Sequence, residues 1–172
     1  MTPLVGEKRL FMGPFSIGGT QEESETPVIL RLPTIFLDFD GVLHSESEVG
    51  SRPFNKLPLL EETLGNSDSD FQIVISSSWR FHYTLDELRG ELGSLKNYVV
   101  GVTPEVRAVA DFRYREILEV VQPYALTDWV AIDDADYAFP EGTENLIWCD
   151  PRHGLTEVEA DLLASWLRRF DS

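Results

Sequence analysis

The chain has 172 residues, 42% of them hydrophobic and 11% aromatic, enough for one domain with a substantial core and too few for two comfortable ones. Its formal net charge of −16, from 30 acidic against 14 basic residues, repels polyanions at long range, so tight non-specific nucleic-acid binding is not expected. A phosphorylated substrate stays open, because a metal ion and a few arginines can reverse the potential locally. The single cysteine, Cys149, excludes an intrachain disulfide framework and a cysteine-type metal cluster. No apolar run approaches the roughly 18–20 residues that cross a bilayer, and "MTPLVGEKRLFMGPF" lacks the apolar core of a signal peptide, so no membrane association and a cytoplasmic location are the default expectations.

Residues 1–27 carry Gly, Pro, Thr and the acidic run "QEESE" without periodicity, and read as a flexible N-terminal extension. Residues 28–172 form the domain. Short apolar runs there alternate with amphipathic segments, the pattern of strands and helices in a parallel sheet. The expected strands are "TIFLDF", "FQIVISS", "NYVVGVT", "DWVAIDD" and "NLIWCD", mostly unbroken apolar runs that suit a sheet covered on both faces. Between them, "NKLPLLEETL" is a helix shortened or bent by Pro58. "TLDELRGEL" opens with a Thr84/Glu87 capping box. "PEVRAVADFRYREILEVV" starts at Pro104 with Val106, Ala110, Tyr114, Ile117 and Val121 at helical spacing. "TEVEADLLASWLRRF" is capped by Thr156 and Glu159, with Val158, Leu162, Leu163, Trp166, Leu167 and Phe170 as an apolar stripe. The fold class expected is α/β: a three-layer, Rossmann-like open parallel sheet flanked by helices.

In such sheets ligands bind beyond the carboxyl ends of the strands. Three expected strands end in polar clusters there: Asp38 with Asp40, Ser76–Ser78 with Trp79 and Arg80, and Asp133 with Asp134. Gly41 allows a tight turn directly after Asp38 and Asp40, so both can face one site. A carboxylate beside a divalent ion can attack phosphorus and form an aspartyl-phosphate, and a second can protonate the leaving oxygen and later deprotonate water. A calcium loop begins similarly, but Leu43 stands where its glycine is needed and Val49 where its closing glutamate is needed. Capping of a turn is the plain structural alternative for the two aspartates.

A hydroxyl after an apolar strand can donate to a phosphoryl oxygen; Ser76 comes first by position and Ser77 is the alternate. Arg80 can meet a substrate phosphate with its planar fork. The neighbouring carboxylates Asp133 and Asp134 would repel each other without a cation, and a hard divalent ion such as Mg²⁺ relieves that while joining them to Asp38 and Asp40. Asp136 reads as solvated. A further cation is wanted near the nucleophile, and Arg107, Arg113 and Arg115 are the candidates, with Arg113 or Arg107 placed to reach the active edge.

"FLDFDGVLH", "IVISSSWR", "GVTPEV", "RYREI" and "VAIDD" resemble the ordered motifs of the haloacid dehalogenase-like (HAD) superfamily of phosphohydrolases. More narrowly, "DFDGVLH", "SSSWR", R-x-x-E-I, "AIDD" and a late "GLT" resemble the small HAD domain of Swiss Army Knife RNA repair proteins, over about Ile35 to Leu155. The resemblance implies a HAD-like domain with Asp38 as nucleophile and Asp40 as general acid/base. Mg²⁺ would be held by Asp38, the Asp40 backbone carbonyl and Asp133 or Asp134, and Ser76 would bind the phosphoryl group. The superfamily's usual lysine is missing, since Lys96 sits in a poorly suited segment, so an arginine must stand in. Asp40 argues against the dehalogenase branch.

The residues between Asp40 and Ser76 must also supply a helix and a strand, leaving room for a short flap around "SESEVGSRPFN", with Arg52 able to touch substrate, but for no large cap domain. Such a site admits large substrates, including a polynucleotide end. The reaction expected is Mg²⁺-dependent phosphomonoester hydrolysis through an aspartyl-phosphate. A non-catalytic HAD-like binding domain that retains the metal site, or phosphotransfer to an acceptor other than water, are the alternatives.

Overall fold

Alternate side chains of each strand enter two different apolar layers, as the two-residue repeat of a pleated strand requires. In the computed structural model, which describes Ile29 and residues 31–45, 54–107 and 110–171, five strands form one sheet. They are β1 (Thr34–Leu37), β2 (Gln72–Ile75), β3 (Val99–Val102), β4 (Trp129–Asp133) and β5 (Leu146–Trp148). Every pairing is parallel, in the order β3-β2-β1-β4-β5. Four helices accompany them: α1 (Leu57–Gly65), α2 (Leu85–Glu91), α3 (Phe112–Tyr124) and α4 (Glu157–Leu167).

Ile35, Leu37, Ile73, Ile75, Val130 and Ile132 pack on one face with Leu60 and Leu64 of α1, Leu88 of α2, and Leu163 and Leu167 of α4. Phe36, Val74 and Ala131 turn to the other face, against Ile117, Val120 and Val121 of α3. Helices therefore cover both faces, which is why the strands are mostly apolar, with the buried Thr34 and Gln72 bonded to each other at their start, and why the three-layer α/β expectation is correct. Among the described residues no second, cap-like domain intervenes between Asp40 and Ser76. The N-terminal extension lies outside the described residues, as do most of the expected flap and Arg52.

The local signals show which expectations needed revision. Both capping boxes form: the Thr84 and Thr156 hydroxyls accept from first-turn amides, and Glu87 and Glu159 reach back to the cap amides. Pro58 sits in the first turn of α1, where its missing N–H breaks no helical bond, so the helix starts at it instead of being interrupted. The third helix does not begin at Pro104. Residues 103–107 leave β3 without helical structure, and Asp111 takes a left-handed conformation (φ 51°) that no right-handed helix can contain, so α3 starts at Phe112. On α4 the expected stripe is too wide. Ala160, Leu163 and Leu167 are buried, while Val158 (66%) and Leu162 (54%) face solvent.

One topological fact places the site. After β1 the chain builds outward through β2 and β3, then returns to add β4 and β5 on the other side of β1. The order reverses between β1 and β4, and the crevice of an open α/β sheet opens beyond the carboxyl ends of those strands.

Candidate active site at the carboxyl edge of the sheet

Strand register alone brings the three polar clusters level. Leu37 pairs with Ile75 on one side and Ile132 on the other, so the next residues, Asp38, Ser76 and Asp133, lie side by side. The ladder continues past the strand ends: the Ser76 amide donates to Leu37 O at 2.9 Å and the Asp38 amide to Ile132 O at 3.1 Å. Thr103 joins the row through a 2.9 Å bond to Ile75 O.

Asp38 and Asp133 are held alike. Each Oδ1 accepts a nearby backbone amide, Phe39 N–H at 2.7 Å and Ala135 N–H at 2.9 Å. Each Oδ2 faces Arg113, whose Nη2 is 3.6 Å from Asp38 and whose Nε is 3.0 Å from Asp133. The second contact lacks hydrogen-bond alignment, so Asp133 Oδ2 is a fully buried oxygen with unspent accepting capacity. Asp134 enters from the turn after β4, and the carboxylates of Asp38, Asp133 and Asp134 come within 4.8 Å of one another. Gly41 makes room for it: the glycine has φ +68°, and a Cβ there would lie 2.2 Å from Asp134 Oδ2.

The cation beside Asp38 and Asp133 is an arginine. Of the three candidates on or before α3, Arg113 is buried at the site, whereas Arg107 and Arg115 are exposed. Lys96 lies in the turn before β3, at the opposite edge of the sheet. Arg113 also donates to Ser76 O and pairs with Glu116 at 3.4 Å.

Arg80 departs from the sequence expectation. Its Nε donates to Thr103 O at 2.9 Å, its Nη1 to Ser77 O at 2.8 Å and Ser76 O at 3.2 Å, and its Nη2 pairs with Glu116 at 2.7 Å. The fork is turned inward and bound by protein, so it braces the loop after β2 and is not presented to a substrate phosphate. The two serines also divide. Ser77 bonds to Asp38 and accepts from the Trp79 amide, whereas the buried Ser76 hydroxyl has no partner among the described residues.

Asp40 stands apart from the acidic trio. Its carboxylate is gripped by His44 Nε2 at 2.9 Å and by the Trp79 indole N–H at 3.0 and 3.1 Å, so its side chain is not part of the cation cluster. The turn bearing Asp40 and His44 is buttressed by "GLT". Gly154, at φ +66°, lies so close that a Cβ would come within 2.8 Å of Val42 O, and the Leu155 amide donates to the same carbonyl at 2.8 Å.

The charges around the crevice do not balance. Asp38, Asp133, Asp134 and Glu116 are four carboxylates, against the two guanidinium groups of Arg80 and Arg113. With all four ionised, the excess of two negative charges equals the charge of one divalent cation. Burial, and then the Asp133 charge, raise the Asp38 carboxyl to about 7 even with Arg113 beside it. Burial raises Asp133 to about 6, opposed by Arg113. All-oxygen donors, a buried carboxylate oxygen with accepting capacity to spare, and an excess of two negative charges on full ionisation fit a hard ion such as Mg²⁺.

The family described as "HAD domain in Swiss Army Knife RNA repair proteins" matches residues 34–160. The chain belongs to this family. The match spans every element from β1 to the first turn of α4, and sets the HAD domain within a superfamily of hydrolases and phosphatases. No curated protein and no solved structure matches. Two residues of this HAD domain were given no role from sequence: Glu116, the buried carboxylate shared by two arginines, and His44, a donor to Asp40. Both lie inside quoted motifs, "RYREI" and "DFDGVLH", so a signal was present without a stated part.

Proposed function

We propose that this HAD domain is a Mg²⁺-dependent phosphomonoester hydrolase acting through an aspartyl-phosphate on Asp38. The observation that carries the reading is the convergence of the Asp38, Asp133 and Asp134 carboxylates within 4.8 Å, beside a buried serine hydroxyl that has no partner among the described residues.

When bound, the ion would be held by Asp38, Asp133 and Asp134, with the Asp40 backbone carbonyl as a further oxygen, and would neutralise charge on the phosphoryl group. The chain's own residues do the rest. An Asp38 carboxylate oxygen bonds to phosphorus as the bond to the leaving oxygen breaks, and Asp40 gives its proton to that oxygen. Asp40, now ionised, takes a proton from water as the water oxygen attacks phosphorus and the Asp38–phosphorus bond breaks. The Ser76 hydroxyl donates to a phosphoryl oxygen, and Arg113 stabilises charge next to Asp38.

The family description, which names RNA repair proteins, supports reading the substrate as a phosphate at a polynucleotide end. The net charge of −16 favours a short contact around the terminal phosphate over a long tract along the strand. Hydrolysis of p-nitrophenyl phosphate with added Mg²⁺ tests the chemistry: the wild-type chain turns over, and Asp38→Asn does not. Equal rates for the two would remove Asp38 from the reaction.

A further inference from the structure

Asp40 is held by side chains that no part of the metal cluster requires. His44 Nε2 lies 2.9 Å from Asp40 Oδ1, and the Trp79 indole N–H is shared between Oδ1 at 3.1 Å and Oδ2 at 3.0 Å. Both donors are held by aromatic contacts. The His44 ring lies parallel over Phe54 (5.7 Å, 9°), and Trp79 packs against Phe54 at 5.2 Å and Phe39 at 5.7 Å. Phe39 and Phe54 themselves meet edge-on at 4.9 Å. Phe54 holds a left-handed backbone conformation (φ 63°), which is rare for a bulky residue and persists only where the surroundings enforce it. Among the described residues the buried His44 Nδ1 has no partner, whereas Nε2 is engaged by Asp40.

We propose that His44 and Trp79 are positioning residues that fix the Asp40 carboxyl as the general acid; the proposal rests on the phosphatase reading above. The two donors stop rotation of the carboxyl and distinguish its oxygens. Oδ1 receives both N–H groups, whereas Oδ2 receives only the shared indole N–H, so the two oxygens stand in different surroundings. The Asp40 side chain keeps 46% of its surface open, leaving a face from which a leaving oxygen can approach. Aspartate by itself rotates freely about its terminal bond, and loss of alignment of this kind is costly in a proton transfer.

A general acid matters most when the leaving group is poor. The test compares p-nitrophenyl phosphate, which needs little protonation, with glycerol phosphate, which needs it fully, in the Mg²⁺-loaded full chain. Asp40→Asn should lose about 10²-fold or more additionally on the alkyl ester. His44→Ala and Trp79→Phe should show the same bias at roughly 10-fold, and His44→Gln, which keeps an N–H near Asp40, should restore most of it. Trp79→Phe retains the ring packing, so its effect reports the lost N–H. Equal losses on both esters, or none, would make the pair merely structural and overturn the proposal while leaving the phosphatase intact. Absence of the bias in Asp40→Asn itself would overturn the acid role of Asp40, and the positioning proposal with it.

Discussion

Arg113 and Glu116 stand one turn apart on α3 and meet as a buried ion pair, 3.4 Å between Nη1 and Oε2. The other Glu116 oxygen pairs with Arg80 at 2.7 Å, so a single carboxylate sets the positions of both buried guanidinium groups. Removing one member of such a network leaves uncompensated charge in a low-dielectric site. Glu116→Ala is expected to destabilise the fold by about 3–5 kcal/mol in urea unfolding. A loss below about 1 kcal/mol, the range of exposed pairs, would mean that the arginines find other partners.

Ser76 invites a change of opposite sign. A buried hydroxyl without a partner costs stability, so Ser76→Ala should leave the unfolding free energy unchanged or raise it by about 1 kcal/mol. Turnover should fall by about 10²-fold, the usual consequence of losing one donor to a developing anion. Reduced stability with unaltered turnover would assign the hydroxyl to folding and not to phosphate.

Gly41 separates backbone strain from crowding of the cation site. At Gly142, with φ +76° and nothing within 4 Å of a Cβ, Ala should cost only the left-handed penalty of about 1–2 kcal/mol. Gly41→Ala pays a similar penalty and also drives a methyl into Asp134. The rise in melting temperature on adding Mg²⁺ should therefore disappear in Gly41→Ala and persist in Gly142→Ala. Equal Mg²⁺ responses would show that Asp134 is not needed for the ion.

What the sequence revealed, and what it concealed, follows from the same distances. Asp38, Ser76 and Asp133 were legible because each ends an apolar strand, and parallel register carries strand ends to one edge. The inward turn of Arg80 was not: a residue after a strand can face either solvent or protein, and only the positions of Thr103 O and Glu116 decide. Glu116 carried no role in the sequence because an i,i+3 carboxylate beside an arginine is common on helix surfaces, and only the fold buries both. The start of α3 was misplaced because Val106 and Ala110 happen to continue its spacing, while the left-handed turn at Asp111 leaves no periodic trace.

On the proposed reading proton and metal compete at the acidic cluster, and the raised carboxyls alone give stability a defined pH dependence. Asp38 is raised from 3.8 to about 7 and Asp133 to about 6, so between roughly pH 4 and 7 the folded chain keeps protons that the unfolded chain has lost. Without metal, unfolding free energy should fall as pH rises through that window, with a shallower slope in Asp38→Asn. Mg²⁺ displaces those protons, so its stabilising effect should be larger at about pH 7.5 than at about pH 5. A metal effect independent of pH, measured by thermal melts in matched buffers, would contradict the linkage.

The most direct measurement is equilibrium binding of Mn²⁺, a spectroscopically visible stand-in for Mg²⁺, followed by electron paramagnetic resonance. A single bound ion is expected in the wild-type chain, with affinity weakened at least about 10-fold in both Asp38→Asn and Asp134→Asn, since each removes a charged oxygen ligand. Failure to bind Mn²⁺ at millimolar concentration, or binding untouched by either substitution, would mean that these carboxylates do not share an ion.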